Sequence, residues 1–407
     1  MAGPFEGVQI IDITSVLMGP LATQLFADFG ADVIKVEPPG GDVLRSVGPG
    51  RHPDMCALYL TLNRNKRSVV LDLKSAQGRE ALLTLVAKAD VLFYNVRPQA
   101  MARLGLSYED VRAANAQIIY CGAYGFAQDG PYAGNPAYDD LIQGATGIPA
   151  LTQRMTGSPN YAPFSIADHL CGMHAAFCLS SALFHRKNTG RGQSVEVPMF
   201  EAMAQTILTH HIYGKTFVPP IGEAGYPRQI SPNRRPYPTL DGHVCVLLFT
   251  DTQWQRFFKS IDMAHVMDDP RFSDVNNRTQ NTEALYKILQ DRLAQRTTAQ
   301  WLELFQEVDI PAMPMQTVDQ LLEDTHLRAT GFFREVDHPT EGKIVSMNVA
   351  SGWTDSVPDE HRAPAPRLGE HTHQVLGEAG YSHQQIEALA NRGNAQDTSK
   401  PMQVDKP

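Results

Sequence analysis

The chain has 407 residues, of which 43% are hydrophobic and 19% are charged. This composition is typical of a globular protein and excludes a disordered or collagen-like chain. Its 35 Lys and Arg residues against 44 Asp and Glu residues give a net charge of −9, which disfavours nucleic acid as a partner.

The first 125 residues alternate between strand and helix patterns. Short apolar runs predict strands at residues 8–13, 33–36, 68–73, 91–94 and 118–121. Apolar residues at helical spacing predict helices between them at residues 21–29, 78–89 and 108–114. This β–α–β order predicts an α/β fold with a doubly wound parallel sheet.

A long helix is predicted to begin at Asp168 and to end near Gly190, after the basic Arg186 and Lys187. At the N-cap, the Asp168 carboxylate would accept from free backbone N–H groups and lie at the positive end of the helix dipole, which predicts a low pKa. An ionised, partly desolvated carboxylate is a candidate nucleophile toward an activated acyl group. A plain helix cap is the alternative that spacing alone leaves open.

The second half of the chain predicts a smaller domain between two irregular passages. Residues 201–236 are predicted as a linker, because Pro, Gly, Arg and Asn dominate after residue 217. A smaller α+β domain is predicted at residues 237–325, with a strand at 244–249 and helices at 252–261, 282–295 and 298–308. After it come a Pro- and Gly-rich passage at 331–366, a helix near 370–378 and a tail at 393–407 that is predicted to be disordered.

Motifs of several other protein classes are missing from the sequence. Residues 1–30 lack a basic, apolar leader, and the most apolar later run, residues 170–184, is too short to span a bilayer, so we expect a cytoplasmic protein without a membrane partner. The five cysteines include no C-x-x-C pair and the histidines no H-E-x-x-H pattern, so no metal site is predicted.

The first β–α–β unit has one feature of a dinucleotide-binding fold, because its second strand ends in the acidic Glu37. However, residues 14–20, which follow the first strand, contain one glycine where a G-x-G-x-x-G loop needs three. A pyrophosphate would not be cradled in the usual way, and NAD is therefore not expected to bind.

Basic residues form two groups near the ends of predicted strands: Arg64, Lys66 and Arg67 before one strand, and Arg97 and Arg103 after another. Loops that follow parallel strands border the ligand crevice, and the guanidinium group suits phosphates. Arg97 and Arg103 are therefore candidates to bind a phosphorylated cofactor. The alternative is a solvated charged surface.

Several segments occur in a fixed order along the chain: GADVIKVEP at 30–38, NRNKRS at 63–68, VLDLK at 70–74, NVRP at 95–98, RLG at 103–105, Asp168 with Gly172, RKNTGRGQ at 186–193, HLR at 326–328 and LGEHT at 368–372. By these segments the chain resembles the class III coenzyme A transferase family (CaiB/BaiF type) over about residues 5–389.

The resemblance implies a Rossmann-like large domain, a small intervening domain and two chains that form an interlocked homodimer. Residues 1–200 would form the N-terminal part of a large CoA-binding domain. Residues 326–392 would form a linker and the C-terminal part that completes this domain.

The resemblance also implies the chemistry. Asp168 would attack the thioester of an acyl-CoA, form a mixed anhydride and then hold CoA as an aspartyl thioester until an acceptor carboxylate collects it. CoA is then a substrate, no tightly bound cofactor is implied, and the partners are an acyl-CoA and a small carboxylic acid. By position, the CoA-contacting residues would be Val16, Leu17, Met18, Lys66 or Arg67, Asn95, Arg97, Arg103, Tyr138 and Asp139.

The α-methylacyl-CoA racemases of the same family are the alternative. They need a His just before an Asp in the segment that reads AYDD here, at residues 137–140, and this chain has Tyr138 at that position. Phenols have an ordinary pKa of about 10 and are poor bases for an α-proton, which favours the transferase.

One further segment bears on which acids the chain would accept. Formyl-CoA transferases have a run of glycines in a mobile loop, whereas residues 223–237 contain only Gly225 and include Arg234 and Arg235. This difference disfavours an oxalate and formate pair, and the arginines favour a larger or dicarboxylic acid.

Overall fold

The computed structural model describes residues 3–359, 361–391 and 395–396. Residues 395–396 form a short strand, and the remainder of the predicted disordered tail at 393–407 lies outside the described residues. Within these ranges, no helix combines the length and the apolar character that a membrane crossing requires.

The strands are β1 (Gln9–Asp12), β2 (Asp32–Glu37), β3 (Lys66–Leu71), β4 (Val91–Tyr94), β5 (Ile119–Tyr124), β6 (Gln193–Pro198), β7 (Tyr237–Pro238), β8 (His243–Val246), β9 (Ala312–Pro314), β10 (Phe333–His338), β11 (Gly342–Met347) and β12 (Ala395–Gln396). The helices are α1 (Met18–Asp28), α2 (Ala57–Leu62), α3 (Ala76–Val86), α4 (Pro98–Arg103), α5 (Tyr108–Ala114), α6 (Asp139–Ala145), α7 (Ile148–Thr156), α8 (Ile166–Thr189), α9 (Met199–His211), α10 (Pro227–Ile230), α11 (Asp251–Ser260), α12 (Val275–Gln280), α13 (Thr282–Leu293), α14 (Thr298–Glu307), α15 (Val318–Leu322), α16 (Thr325–Ala329), α17 (Thr372–Glu378) and α18 (His383–Asn391).

The chain divides into two compact units. The second unit contains residues 143–163 and 204–327, and the first contains the other described residues. Residues 201–236, predicted as a linker, thus belong to the second unit from residue 204 onward.

The first unit is built on a seven-stranded sheet with the order β12-β3-β2-β1-β4-β5-β6. Strands β1 to β6 are parallel, and β12 is antiparallel to β3. The order from β3 to β6 is that of a doubly wound Rossmann-like sheet, which confirms the predicted α/β fold with a parallel sheet. The direction of winding reverses between β1 and β4, and this pair of strands is the topological switch point.

The sequence explains why the central strands and their helices form where they do. The residues of β4 (VLFY) and β5 (IYCGAY) are all buried, as expected of parallel strands covered by helices on both faces. Helix α5 begins at a capping box in which Ser107 and Asp110 satisfy each other's backbone N–H groups. Strand β4 and helix α5 have the bounds that the sequence predicts.

The second unit contains a three-stranded antiparallel sheet, β7-β8-β9, with helices packed beside an aromatic core. Trp254, Phe257, Phe258, Trp301 and Phe305 are buried, and their rings contact one another at centroid distances of 5.2 to 6.3 Å. Large aromatic side chains contribute much of the apolar burial in a unit of this size.

The C-terminal part of the first unit is bonded to the start of β3. The backbone N–H of Asn65 donates to the carbonyl of Ala363 (3.0 Å), and the N–H of His371 donates to the carbonyl of Ser68 (2.9 Å). The backbone N–H of Val70 donates to the Thr372 hydroxyl, and the backbone N–H of Gly369 donates to the Ser68 hydroxyl. The C-terminal part therefore completes the hydrogen bonding of the N-terminal sheet.

Candidate active site

The switch point brings together two loops that the sequence assigns to ligand binding. Residues 13–17 follow β1, and residues 95–97 follow β4, its neighbour in the sheet. In open α/β sheets, ligands bind beyond the carboxyl ends of the strands at such a point. The predicted contacts Val16, Leu17, Asn95 and Arg97 therefore lie at one edge of the sheet, together with Met18 at the start of α1.

Asn95 holds these two loops together. Its Oδ1 accepts from the backbone N–H of Ser15 (3.0 Å), and its Nδ2 donates to the Ser15 carbonyl (2.7 Å). The next residue, Val16, has a φ of 68°, and its N–H donates to Asp42 Oδ1 (3.2 Å). A β-branched residue rarely adopts such a φ, and backbone strain of this kind is frequent at ligand sites. The Asn95 side chain thus fixes the loop after β1 through the Ser15 backbone.

Buried charges hold the beginning of the same loop. The backbone N–H and the hydroxyl of Thr14 both donate to Asp12 Oδ1, and Lys35 Nζ donates to the Thr14 carbonyl (2.9 Å). The backbone N–H groups of residues 14, 15 and 16 are thus all bonded to side-chain oxygens. In a dinucleotide-binding fold the loop at this position offers its N–H groups to phosphates. In this chain those N–H groups are already bonded to side chains, so the loop has none to offer a phosphate.

Lys66 and Arg67 do not belong to the two loops at the switch point. They are the first two residues of β3, at the amino ends of the parallel strands. Lys66 Nζ is fully buried and donates to Asn63 Oδ1, to the Pro20 carbonyl and to Asp12 Oδ2, which uses all three of its protons. Burial lowers the pKa of Lys66 to about 8. The structure therefore gives Lys66 a role within the protein and leaves no donor for a nucleotide.

Arg67 is similarly occupied. Its Nη2 contacts Asp32 Oδ2 and its Nη1 contacts Glu378 Oε2, both at 2.6 Å. These ion pairs raise the pKa of Arg67 against the effect of burial, and they connect the sheet to α17. By contrast, the side chains of Arg97 and Arg103, at the two ends of α4, are exposed. Arg97 Nη1 donates to the carbonyl of Gly134 (2.9 Å).

Asp168 is the third residue of α8, which begins at Ile166 with Ser165 at the N-cap. The prediction that Asp168 is itself the N-cap is therefore wrong. The Asp168 backbone N–H donates to Asp139 Oδ2 (2.8 Å), so Asp139 supplies the oxygen that caps this turn. Asp139 is buried at the start of α6, whereas the preceding Tyr138 is 69% exposed. The family resemblance implies a CoA contact for Asp139, whereas in the structure its carboxylate accepts from the backbone N–H of Asp168.

The environment of Asp168 raises its pKa to about 6. Burial is the largest cause and the neighbouring Asp139 carboxylate is the second, while His169 acts in the opposite direction. The prediction of a low pKa is wrong because desolvation and a like charge outweigh the helix dipole. In the described part of the chain, no donor is hydrogen-bonded to the Asp168 carboxylate. Its oxygens are therefore not committed to a protein partner.

A close helix contact places Asp168 beside the switch-point loops. A Cβ atom added to Gly172 would lie 2.7 Å from the carbonyl oxygen of Met18 and 3.2 Å from Leu21. Only glycine therefore allows α8 to pack so closely on the start of α1. Asp168 lies four residues before Gly172, hence on the same face of α8. The nucleophile candidate thus belongs to the face that meets Met18, the last of the three residues predicted to line the CoA entrance.

Sequence reasoning missed two residues that support this arrangement, Asp42 and Lys35. Asp42 binds both the Val16 N–H and Lys35 Nζ (2.8 Å), and both side chains are buried. No local pattern distinguishes them from surface charges. Ser165 was also missed, although a Ser three residues before an Asp is a recognisable helix-start signal.

Comparisons with known proteins identify the family of this chain. A family model described as CoA-transferase family III matches residues 5–372. A succinate–glutarate CoA-transferase from Agrobacterium fabrum is 32% identical over 390 residues, which cover 92% of this chain and 95% of that protein. A formyl-CoA:oxalate CoA-transferase from Escherichia coli is 31% identical over 426 residues, which cover 96% and 99%. The crystal structure of a CAIB/BAIF family protein from Brucella suis has a TM-score of 0.78 and 29% identity, over 93% of this chain and all of that chain (100%).

Proposed function

Since the chain belongs to CoA-transferase family III, as its sequence motifs predict, we propose that it transfers CoA to a free carboxylic acid with Asp168 as the nucleophile. The observation that carries this proposal is the uncommitted, partly buried Asp168 carboxylate at the start of α8. With a pKa of about 6, about nine-tenths of this carboxyl is ionised at pH 7. It is also a more basic nucleophile than an ordinary aspartate.

The proposed reaction exchanges one carboxylate for another through anhydrides. An Asp168 oxygen attacks the thioester carbon of the acyl-CoA, the C–S bond breaks, and CoA leaves as a thiolate. The thiolate then attacks Asp168 Cγ, the anhydride C–O bond breaks, and the first acid leaves as a carboxylate. The acceptor carboxylate attacks the aspartyl thioester, and the released thiolate attacks the acceptor carbonyl of the new anhydride. This last step forms the product thioester and restores Asp168.

The same geometry suggests how CoA is held. We propose that Val16, Leu17 and Met18 line its path to Asp168, since the Gly172 contact brings α8 against the start of α1. The exposed guanidinium groups of Arg97 and Arg103 suit its phosphates, and these residues lie at the two ends of the helix that follows β4. Lys66 is not part of this proposal because its protons are already used.

We propose that the acids exchanged are dicarboxylic. One similar protein is named a succinate–glutarate CoA-transferase, and the chain lacks the glycine run expected of an enzyme for formate and oxalate. Arg234 and Arg235 of the second unit are exposed, and Arg235 donates to Gln290 Oε1 (2.9 Å). A guanidinium group binds a carboxylate well, so arginines in this segment favour a dicarboxylic acid over formate.

The racemase of the same family is the second candidate. Its chemistry needs a base at the position of Tyr138, and the Tyr138 side chain points largely into solvent. Deuterium washing into the α-carbon of a 2-methylacyl-CoA, without any acid acceptor, would favour the racemase over the transferase.

We also propose that two chains form the interlocked homodimer that the family resemblance implies. Helix α8 has three large apolar side chains, Met173, Phe177 and Phe184, which are 63%, 68% and 67% exposed in the single chain. A second copy would remove this apolar surface from water. Light scattering that gives the molar mass of one chain would refute the dimer.

The transferase is tested by trapping Asp168. The protein is incubated with succinyl-CoA, treated with hydroxylamine, and digested for peptide mass analysis, with glutarate added in parallel to measure transfer. We expect a hydroxamate at Asp168 in the wild type and in the matched variant Asp140→Asn, and none in Asp168→Ala. Full transfer without modification of Asp168, or an active Asp168→Ala variant, would refute this mechanism.

A further inference from the structure

A group of metal-ligating side chains lies far along the chain from Asp168, on the last two helices. His373 is the second residue of α17, and His383 and Glu387 lie on α18. One ligand atom from each of the three lies within 4.8 Å of the others. Because His383 and Glu387 are four residues apart, they project from the same face of α18.

The separations are close to those of a metal centre. His373 Nε2 lies 3.4 Å from Glu387 Oε1. Ligand atoms at about 2.1 Å from a tetrahedral ion are about 3.4 Å apart, so this pair already has the required spacing. The imidazole rings of His373 and His383 are 5.3 Å apart at 41°. His383 is exposed and is the first residue of its helix, so a rotation of its side chain can close the remaining gap.

We propose that His373, His383 and Glu387 bind one zinc ion. Two imidazole nitrogens and one carboxylate oxygen suit Zn²⁺, whereas Mg²⁺ and Ca²⁺ prefer oxygen ligands alone. Sequence analysis does not reveal this site because its ligands come from two helices. Water would supply the fourth ligand.

The ion would connect two helices that attach the C-terminal part to the sheet. Helix α17 is held at β3 through the Thr372 hydroxyl, which accepts from the Val70 N–H (3.2 Å). Helix α18 is the last helix before β12, which pairs with the outer edge of β3. Zinc binding would therefore fix α18 against α17 and stabilise the folded chain by mass action.

The site is tested by titrating Zn²⁺ into the full chain, without an affinity tag, in a calorimeter. We expect one zinc ion per chain with the wild type, and at least a tenfold weaker affinity in His383→Ala and Glu387→Gln. The matched control is His243→Ala, which removes an exposed histidine of the second unit and should bind zinc like the wild type.

Thermal unfolding gives the second measurement. Zinc should raise the unfolding temperature of the wild type and of His243→Ala, but not that of His383→Ala or Glu387→Gln. Wild-type protein that takes up no zinc would overturn the proposal, and so would cluster variants that bind zinc as tightly as the control.

Discussion

Replacing Asp139 by Asn separates the two causes of the raised pKa of Asp168. The Asn side chain keeps an oxygen that accepts from the Asp168 N–H, but it removes the negative charge beside the nucleophile. The pKa of Asp168 rises from 3.8 to about 6, and burial contributes more than Asp139. Removing the Asp139 charge should therefore lower the pKa of Asp168, but burial should keep it above the ordinary value of 3.8.

The sign of the effect on activity follows directly. A lower pKa keeps Asp168 ionised in more acidic solution, so the acidic limb of kcat/KM should move to lower pH. If the pKa falls from about 6 to about 5, the ionised fraction at pH 5 rises roughly fivefold. The assay is the pH dependence of kcat/KM for succinyl-CoA consumption with glutarate, between about pH 4.5 and 8.

The matched control for this experiment is Asp140→Asn. Asp140 is the next residue on α6 and carries the same charge, but its side chain is exposed and screened by water. We expect its pH profile to match the wild type. An acidic limb that stays in place in Asp139→Asn, or moves equally in both variants, would refute the reasoning.

Two further substitutions test the site. Asp168→Asn should abolish transfer and stabilise the fold above pH 6, because the raised pKa of Asp168 means that its ionised form destabilises the folded state. The gain in unfolding free energy, measured in urea, should be at most about 3 kcal/mol. A variant that is less stable than the wild type at pH 8 would contradict this prediction. Gly172→Ala should cost about 1–3 kcal/mol of unfolding free energy and lower kcat/KM, because its Cβ would lie 2.7 Å from a backbone carbonyl oxygen. Gly377→Ala, where a Cβ meets nothing within 4 Å, is the control and should be neutral or stabilising.

The sequence predicts the parts of the fold whose local signals agree with their final environment. Strand β4 is a continuous apolar run between turns, and Ser107 marks the start of α5, so both were predicted with their observed bounds. Strand β6 was missed because its residues are mostly half-exposed and it follows a polar turn. The hairpin β10–β11 was missed for the same reason, since much of its surface faces solvent.

The candidate site shows a similar division. Asp168 could be selected from sequence because it stands at the start of a long helical pattern, but its raised pKa could not be predicted, because Asp139 contacts it from 29 positions away. Lys66 looked like a phosphate ligand because nothing local indicates that its amino group is buried among three acceptors. Burial and long-range pairing are properties of the packed chain, and neither has a short sequence pattern.

The bonding between β3 and the C-terminal part has a consequence for biosynthesis. The Ser68 N–H donates to His371 Nδ1 across 303 positions of the chain. At about 5–20 residues per second, a ribosome needs roughly 15–60 s to synthesise the intervening segment. Throughout that interval the nascent sheet has an unfinished outer edge, which is a surface prone to aggregation. We therefore expect this protein to need chaperone protection during translation more than an enzyme of equal length whose sheet is completed early.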